Sequence, residues 1–298
     1  MSIRCGYVGL IGLPNVGKSS FLNNVLKEDL SIVSNKPQTT RKTFTGIYSD
    51  KEKQIIFLDA PGFVESKAGL FDFMAGEFEK VLNDADHMMV VVANDQKSSS
   101  GFEQMWELVK GSRRPWSLLV TKMDLPGTEF VESLVAQATG QGQTVFSINN
   151  RKPNMDQLQN FLQKTSLAFE SQKDYFFSPD EISPWNLREL AGEWVREACF
   201  EKLEQEIPYG LAVKIVSFKE EPTIVRVHAT IVVDKENHKS IVIGQGGAML
   251  KAIGQQARKK MEEVLGQKVF LQTHVSLRKN WQKNKTHMKE FGYGRSKA

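Results

Sequence analysis

Gly12-Leu13-Pro14-Asn15-Val16-Gly17-Lys18-Ser19 fits G-x-x-x-x-G-K-[ST] at every fixed position. An apolar stretch at residues 7–10 precedes it, and a helical pattern at residues 20–26 follows. A strand, a glycine-rich turn and a helix in that order make a cradle for phosphate. The glycines let the backbone curl until its N–H groups face one anion, and the new helix adds the positive end of its dipole. Gly12, Asn15, Val16, Gly17 and Ser20 are expected to line the phosphates, with Lys18 reaching the β- and γ-phosphates and the Ser19 hydroxyl ligating Mg²⁺.

Working outward, Asp59-Ala60-Pro61-Gly62 follows the apolar residues 55–58. This D-x-P-G has the form of a second metal-side element, with Asp59 holding Mg²⁺ through water and the Gly62 N–H sensing the γ-phosphate. Thr39 and Thr40 lie in the polar stretch between the two elements, and one of them can complete the metal shell. Thr121-Lys122-Met123-Asp124 follows the apolar residues 116–120 and has the form of a guanine-reading loop. The Asp124 carboxylate can accept from the two donors of guanine, a pair that adenine lacks. Adenine is rejected by leaving a buried acid unpaired. Alone, T-K-M-D would read as a strand end with solvated charges. Its place after two phosphate elements makes GTP and GDP the expected ligands.

The chain has 298 residues, enough for two domains, with 25% charged and 40% hydrophobic residues. Its longest apolar run, residues 88–93, is far too short to span a bilayer. The chain opens directly into a strand pattern, so no signal peptide is expected. Cys5 and Cys199 are the only cysteines, and they read as core residues of a cytosolic protein, not as a bridge. The five histidines show no ligand spacing, so Mg²⁺ and not zinc is the expected metal. Charge is uneven: residues 1–170 carry 18 Lys+Arg against 19 Asp+Glu, residues 171–298 carry 21 against 16, and residues 239–298 carry 13 against 3. A basic C-terminal half fits either a polyanion or a solvated lysine-rich surface.

Strand patterns at about residues 4–10, 44–49, 54–59, 87–94, 116–121 and 144–148 alternate with helical ones. They predict an α/β, doubly wound P-loop domain over residues 1–172, with every ligand loop at a carboxyl strand end. An α+β domain is expected over residues 173–298, after a linker at residues 171–183. Ser183 and Pro184 read as the N-cap and first turn of its opening helix. Strands at residues 211–218 and 223–233 follow. Then come Gly244-Gln245-Gly246-Gly247, a basic helix at residues 248–265 and a strand at residues 269–277. G-x-x-G alone is weak. In helix–strand–strand–helix–loop–helix–strand order it is the type II KH arrangement, whose loop clamps single-stranded RNA. Ile243, Gly244, Gln245, Gly246 and Gly247 are the expected RNA contacts, with Lys251 and Arg258 neutralising phosphates. Trp281 and Phe291 either stack on bases or anchor a terminal helix.

These tracts, with Pro208-Tyr209 before the second domain's strands and Phe291-Gly292-Tyr293 in the tail, resemble the Era family of bacterial GTPases. The resemblance covers nearly the whole chain. It implies a GTPase that binds the 3′ region of 16S rRNA through its KH domain and assists assembly of the 30S subunit. It also implies a cytoplasmic protein with some peripheral contact with the inner face of the cell membrane; nothing in the sequence points to an obligate dimer, so a monomer is expected. It aligns Thr40 with the switch threonine and places Ser147 and Ile148 in the loop whose amide meets guanine O6. Three positions depart from the pattern: Thr121 stands for an asparagine, Ile148 for an alanine, and Gly246 where a basic residue is common. Glycine at 246 leaves one RNA phosphate without a cation from the loop, and Lys251 or Lys239 would supply it. Phe63 follows Gly62 where a water-orienting glutamine stands in Ras-type enzymes, so slow hydrolysis is expected from Lys18, Thr40 and Asn15. Asn15 either resembles the asparagine of K⁺-assisted GTPases or only hydrogen-bonds its own loop. A nucleotide-gated RNA-binding switch with negligible catalysis is the alternative function.

Overall fold

In the computed structural model, residues 2–65 and 67–294 are described. They form two compact units. The first comprises Met1–Ser31, Thr40–Ser66 and Met74–Pro184; the second comprises Ile32–Thr39, Lys67–Phe73 and Trp185–Ala298.

The first unit is a sheet of strand order β2-β3-β1-β4-β5-β6, with β7 pairing beside β1. The strands are β1 (Ile3–Ile11), β2 (Phe44–Ser49), β3 (Lys53–Asp59), β4 (His87–Ala93), β5 (Trp116–Thr121), β6 (Val145–Ser147) and β7 (Ser171–Gln172). β3 and β4 are buried along their whole length, as continuous apolar strands covered on both faces must be. The helices are α1 (Lys18–Leu26), α2 (Leu70–Asp84, in this unit from Met74 onward), α3 (Ser100–Gly111), α4 (Glu129–Gly140) and α5 (Met155–Ser166). β1, β3, β4, β5 and β6 are parallel, whereas β2 runs antiparallel to β3. The turn joining β2 to β3 is too short for the crossover that a parallel pair requires.

The second unit contains α6 (Leu187–Lys202), β8 (Ala212–Glu221), β9 (Ile224–Val233), α7 (Glu236–Ile243), α8 (Ala248–Leu265), β10 (Lys268–Leu277) and the short α9 (Lys285–Glu290). Its sheet order is β10-β9-β8, with β10 parallel and β8 antiparallel to β9. Two excursions of chain belong to this unit. The Val33 amide donates to Glu197 Oε1 at 2.8 Å, and Lys36 donates to the Phe200 and Leu203 carbonyls at the end of α6. Cys5 and Cys199 are free and buried, and burial pushes the Cys199 thiol up to about 12. Among the described residues no helix is long and apolar enough to cross a membrane, and no cluster of His, Cys, Asp and Glu suits a metal.

Two expectations change, and the alternative left open for Trp281 and Phe291 is decided. The division falls at Pro184/Trp185 rather than 172/173, because the expected linker is fastened to the first sheet. Gln54 accepts from the Phe176 and Phe177 amides, Tyr175 donates to the Asp50 carbonyl, and the Ile182 carbonyl accepts from Ile47. Ser183 does not cap α6; its hydroxyl donates to the Thr45 carbonyl, and Asn186 forms a capping box with Glu189 instead. Trp281 and Phe291 anchor the tail. The Trp281 indole is fully buried, donates to the Gly210 carbonyl at 2.8 Å and packs against Phe291 and Tyr293.

Candidate functional site

The phosphate loop leaves β1 and enters α1 through Gly17 at φ 91. A Cβ there would stand 2.9 Å from the Asn150 side chain, so glycine answers both the left-handed turn and the close approach. Asn15 also lies in the left-handed region, at φ 63, which asparagine tolerates. Lys18 is buried, and its ammonium donates to the Gly12 and Leu13 carbonyls at 3.2 and 3.1 Å. Burial lowers its pKa to about 8, against the nearby Asp59 charge, which raises it.

Asp59, at the end of β3, has no exposed surface. Burial raises its pKa; Lys18 and hydrogen bonds from Ser19 and Ser31 oppose that rise. Its Oδ2 accepts from Ser19 at 2.6 Å and Ser31 at 3.2 Å, while its Oδ1 is buried without a hydrogen-bond partner. Ser19 Oγ lies 3.1 Å from Thr40 Oγ1. The Thr39 hydroxyl donates to the Lys36 carbonyl. One unpartnered carboxylate oxygen beside two hydroxyls is a hard, all-oxygen donor set, which fits Mg²⁺. Ser19, Thr40 and Asp59 would hold the ion, which when bound neutralises charge on the β- and γ-phosphates. Gly62 lies against Pro14, and the Phe63 amide donates to the Gly12 carbonyl at 3.1 Å, so the D-x-P-G loop closes onto the phosphate loop.

The base end differs from expectation at Ile148, whereas Thr121 keeps a tether to the phosphate loop. Thr121 is fully buried, and its hydroxyl donates to the Val16 carbonyl, with the Val92 carbonyl 3.2 Å away. Asn150 supplies a second tether, donating from Nδ2 to the Gly17 carbonyl at 3.0 Å. Asn24 on α1 in turn donates to the Asn150 carbonyl at 3.0 Å. Asp124 is paired with Arg151 at 3.1 Å, and Lys122 Nζ lies 3.9 Å from Asp95. The expected amide contact from Ile148 is not offered: that N–H donates to the Val120 carbonyl at 2.8 Å, and the side chain is buried. Ser147 belongs to β6 and is exposed. Asn150 and Arg151 lie just past Ser147-Ile148-Asn149, outside the motif that the sequence displays. The run of two asparagines was the available signal.

In the second unit, Gly244, Gly246 and Gly247 all have positive φ, at 74, 57 and 81. Gly246 and Gly247 have no neighbour within 4 Å of a built Cβ, so their backbone faces open space. Beside them α8 and β10 enclose a groove of about 420 Å³, lined by Gly247, Leu250, Lys251, Gly254, Arg258 and Thr273 among others. Lys251 and Arg258 therefore stand in the groove. Ile243, Gly244, Gln245 and Gly246 lie outside its lining, as does Lys239. Leu250, Leu271 and Thr273 could not be picked out beforehand, because an apolar groove wall and a core position look alike in sequence.

The family described as 50S ribosome-binding GTPase matches residues 7–122, and the KH domain family matches residues 206–282. A crystal structure of a variant of Aquifex aeolicus Era bound to GDP·AlF4⁻ is 31% identical, with TM-score 0.91 over 98% of this chain and 100% of that one. This chain belongs to the Era family of GTPases. A second Era structure matches with the same identity, coverage and TM-score, and it is a complex with MgGDPNP and nucleotides 1506–1542 of 16S ribosomal RNA. As an Era-family GTPase the chain joins a guanine-nucleotide site to a C-terminal KH domain.

Proposed function

We propose that this Era-family GTPase hydrolyses GTP slowly and binds the 3′ region of 16S rRNA in its KH groove, assisting assembly of the 30S subunit. The full-length match to an Era structure holding MgGDPNP and a 16S rRNA segment carries this reading. The residues supply positioning and charge. Lys18 and the loop amides hold the transferring phosphoryl group, and Thr40 stands beside Ser19. No side chain at Phe63 can orient a water; it packs edge-on against Phe78. That supports slow turnover, and it also supports the second reading, a nucleotide-gated RNA switch with negligible catalysis. Asn15 as a K⁺ ligand belongs to the first reading; hydrolysis unchanged on replacing K⁺ by Na⁺ at fixed ionic strength would remove it. The chain acts as a cytoplasmic monomer, with any membrane contact peripheral.

The test is affinity for a fluorescent 3′-end 16S rRNA oligonucleotide with GTP analogue, GDP or neither, against a scrambled control. Sequence-selective, nucleotide-dependent binding is expected. Equal, strongly salt-dependent binding to both RNAs would leave only a basic surface.

A further inference from the structure

The KH groove occupies one face of the second unit's sheet, and β10 is an edge strand shared by both faces. Side chains alternate along it. Leu271 and Thr273 line the groove, so Phe270, Gln272 and His274 point to the opposite face. That face is not apolar core. Register places Lys219, Arg226 and Phe270 in one row across β8, β9 and β10, and Ser217, His228 and Gln272 in the next. Phe270 is 44% exposed, an aromatic ring left in water beside basic groups. The Arg226 guanidinium lies 5.6 Å over its ring, and the His228 ring is 6.4 Å away. Glu221 pairs with Arg226 at 3.0 Å; Lys219 and Lys268 add positive charge on the same strands.

We propose that this outer sheet face is a second RNA-contact surface, on which a base of RNA leaving the groove around the edge of β10 stacks against Phe270. The inference rests on the RNA-binding function proposed for the groove. A KH groove holds about four nucleotides, whereas the 16S rRNA segment in the related Era complex is much longer. RNA that continues past the groove meets β10 first. An exposed aromatic on a pleated surface, with arginine and lysine beside it, offers a π-face to any base and cations to the adjoining phosphates. The occupant is therefore single-stranded RNA continuous with the groove-bound segment.

The experiment uses the full chain and two RNAs. One is a short 3′-end oligonucleotide that fills the groove; the other is the same sequence extended on both sides. Phe270→Ala should weaken the extended RNA about tenfold and leave the short one unchanged, with Phe270→Trp close to the parent. Arg226→Ala should lower the salt dependence for the extended RNA only. Unchanged affinity of Phe270→Ala for the extended RNA overturns the proposal, as does an equal loss on both RNAs. A Phe270-dependent dimer with unaltered RNA binding would give the face to a second copy of the chain and also overturn it. If the parent chain binds neither RNA, the groove reading falls and this inference with it. If only the outer face is silent, the groove reading stands.

Discussion

At the phosphate end of the nucleotide site each residue sits where its own motif fixes it; at the base end one task is split between two loops. Lys18, Ser19, Asp59 and Thr40 converge as the motifs place them. The tether that fastens the phosphate loop to the base loops instead comes from Thr121 on β5 and Asn150 after β6, each holding a different carbonyl. The difference lies in the interactions. A buried charge facing a phosphate is set by one position and one sign, and moving it leaves an uncompensated group. A hydrogen bond to a backbone carbonyl can be supplied from any loop that reaches it. The phosphate end should therefore fail sharply, and the base end gradually.

The largest effect is expected at Lys18. Lys18→Ala should lower multiple-turnover phosphate release about a thousandfold, the scale of losing a preorganised stabiliser of transition-state charge. Hydrolysis within tenfold of the parent would show that the phosphate end has a substitute after all. The same burial has a pH signature. Lys18 has its pKa lowered to about 8, so it is charged at neutral pH and loses its proton as pH rises past that value. GTP affinity should hold steady up to about pH 8 and then weaken by as much as tenfold per pH unit. Ligand-free stability runs the other way. Between about 8 and the ordinary 10.5 the unfolded chain binds a proton that the folded chain does not, so stability rises with pH across that window. Lys18→Met should then stabilise the free chain at pH 7 by up to about 3 kcal/mol, measured as a shift in denaturant midpoint. A destabilised Lys18→Met would mean that the carbonyls of Gly12 and Leu13 more than offset the burial.

Smaller effects are expected at the tether. Thr121→Ala or Asn150→Ala alone should raise the Kd for GDP about fivefold, the cost of one hydrogen bond to a buried carbonyl. The sharper test restores the family's asparagine. In a Thr121→Asn background, Asn150→Ala should cost much less than it does in the parent, because a carboxamide at 121 can reach further along the loop. Equal costs in the two backgrounds would show that the tethers act independently and that the work is not divided.

The same contrast separates what was legible in the sequence from what was not. β3 and β4 are buried on both faces, so their composition alone declares them. The bounds of α8, Ala248–Leu265, were readable because glycines stop it at both ends. The meeting of Ser19, Thr40 and Asp59 was readable because the chemistry admits few residue types at fixed spacing. Ile148 was misread because its role depends on which carbonyl its amide finds, and Val120 on the neighbouring strand takes it. The stretch at residues 171–183 looked like a linker because its composition is polar and aromatic. Gln54, a buried carboxamide on β3, accepts from two of its amides, and nothing in the local pattern announces a partner so distant in the chain.

The smallest effect belongs to Arg151. Its side chain is 79% exposed and pairs with Asp124, the carboxylate expected to accept from guanine. An exposed pair of this kind contributes less than about 1 kcal/mol and is screened by salt. Guanine must displace Arg151 or share the carboxylate with it. Arg151→Ala should therefore tighten GTP by no more than about threefold, with the gain largest at low salt and gone near about 0.5 M. A variant that instead binds GTP tenfold more weakly at every salt concentration would make Arg151 a direct nucleotide contact. The base end would then hold a residue as irreplaceable as Lys18, and the contrast between the two ends would collapse.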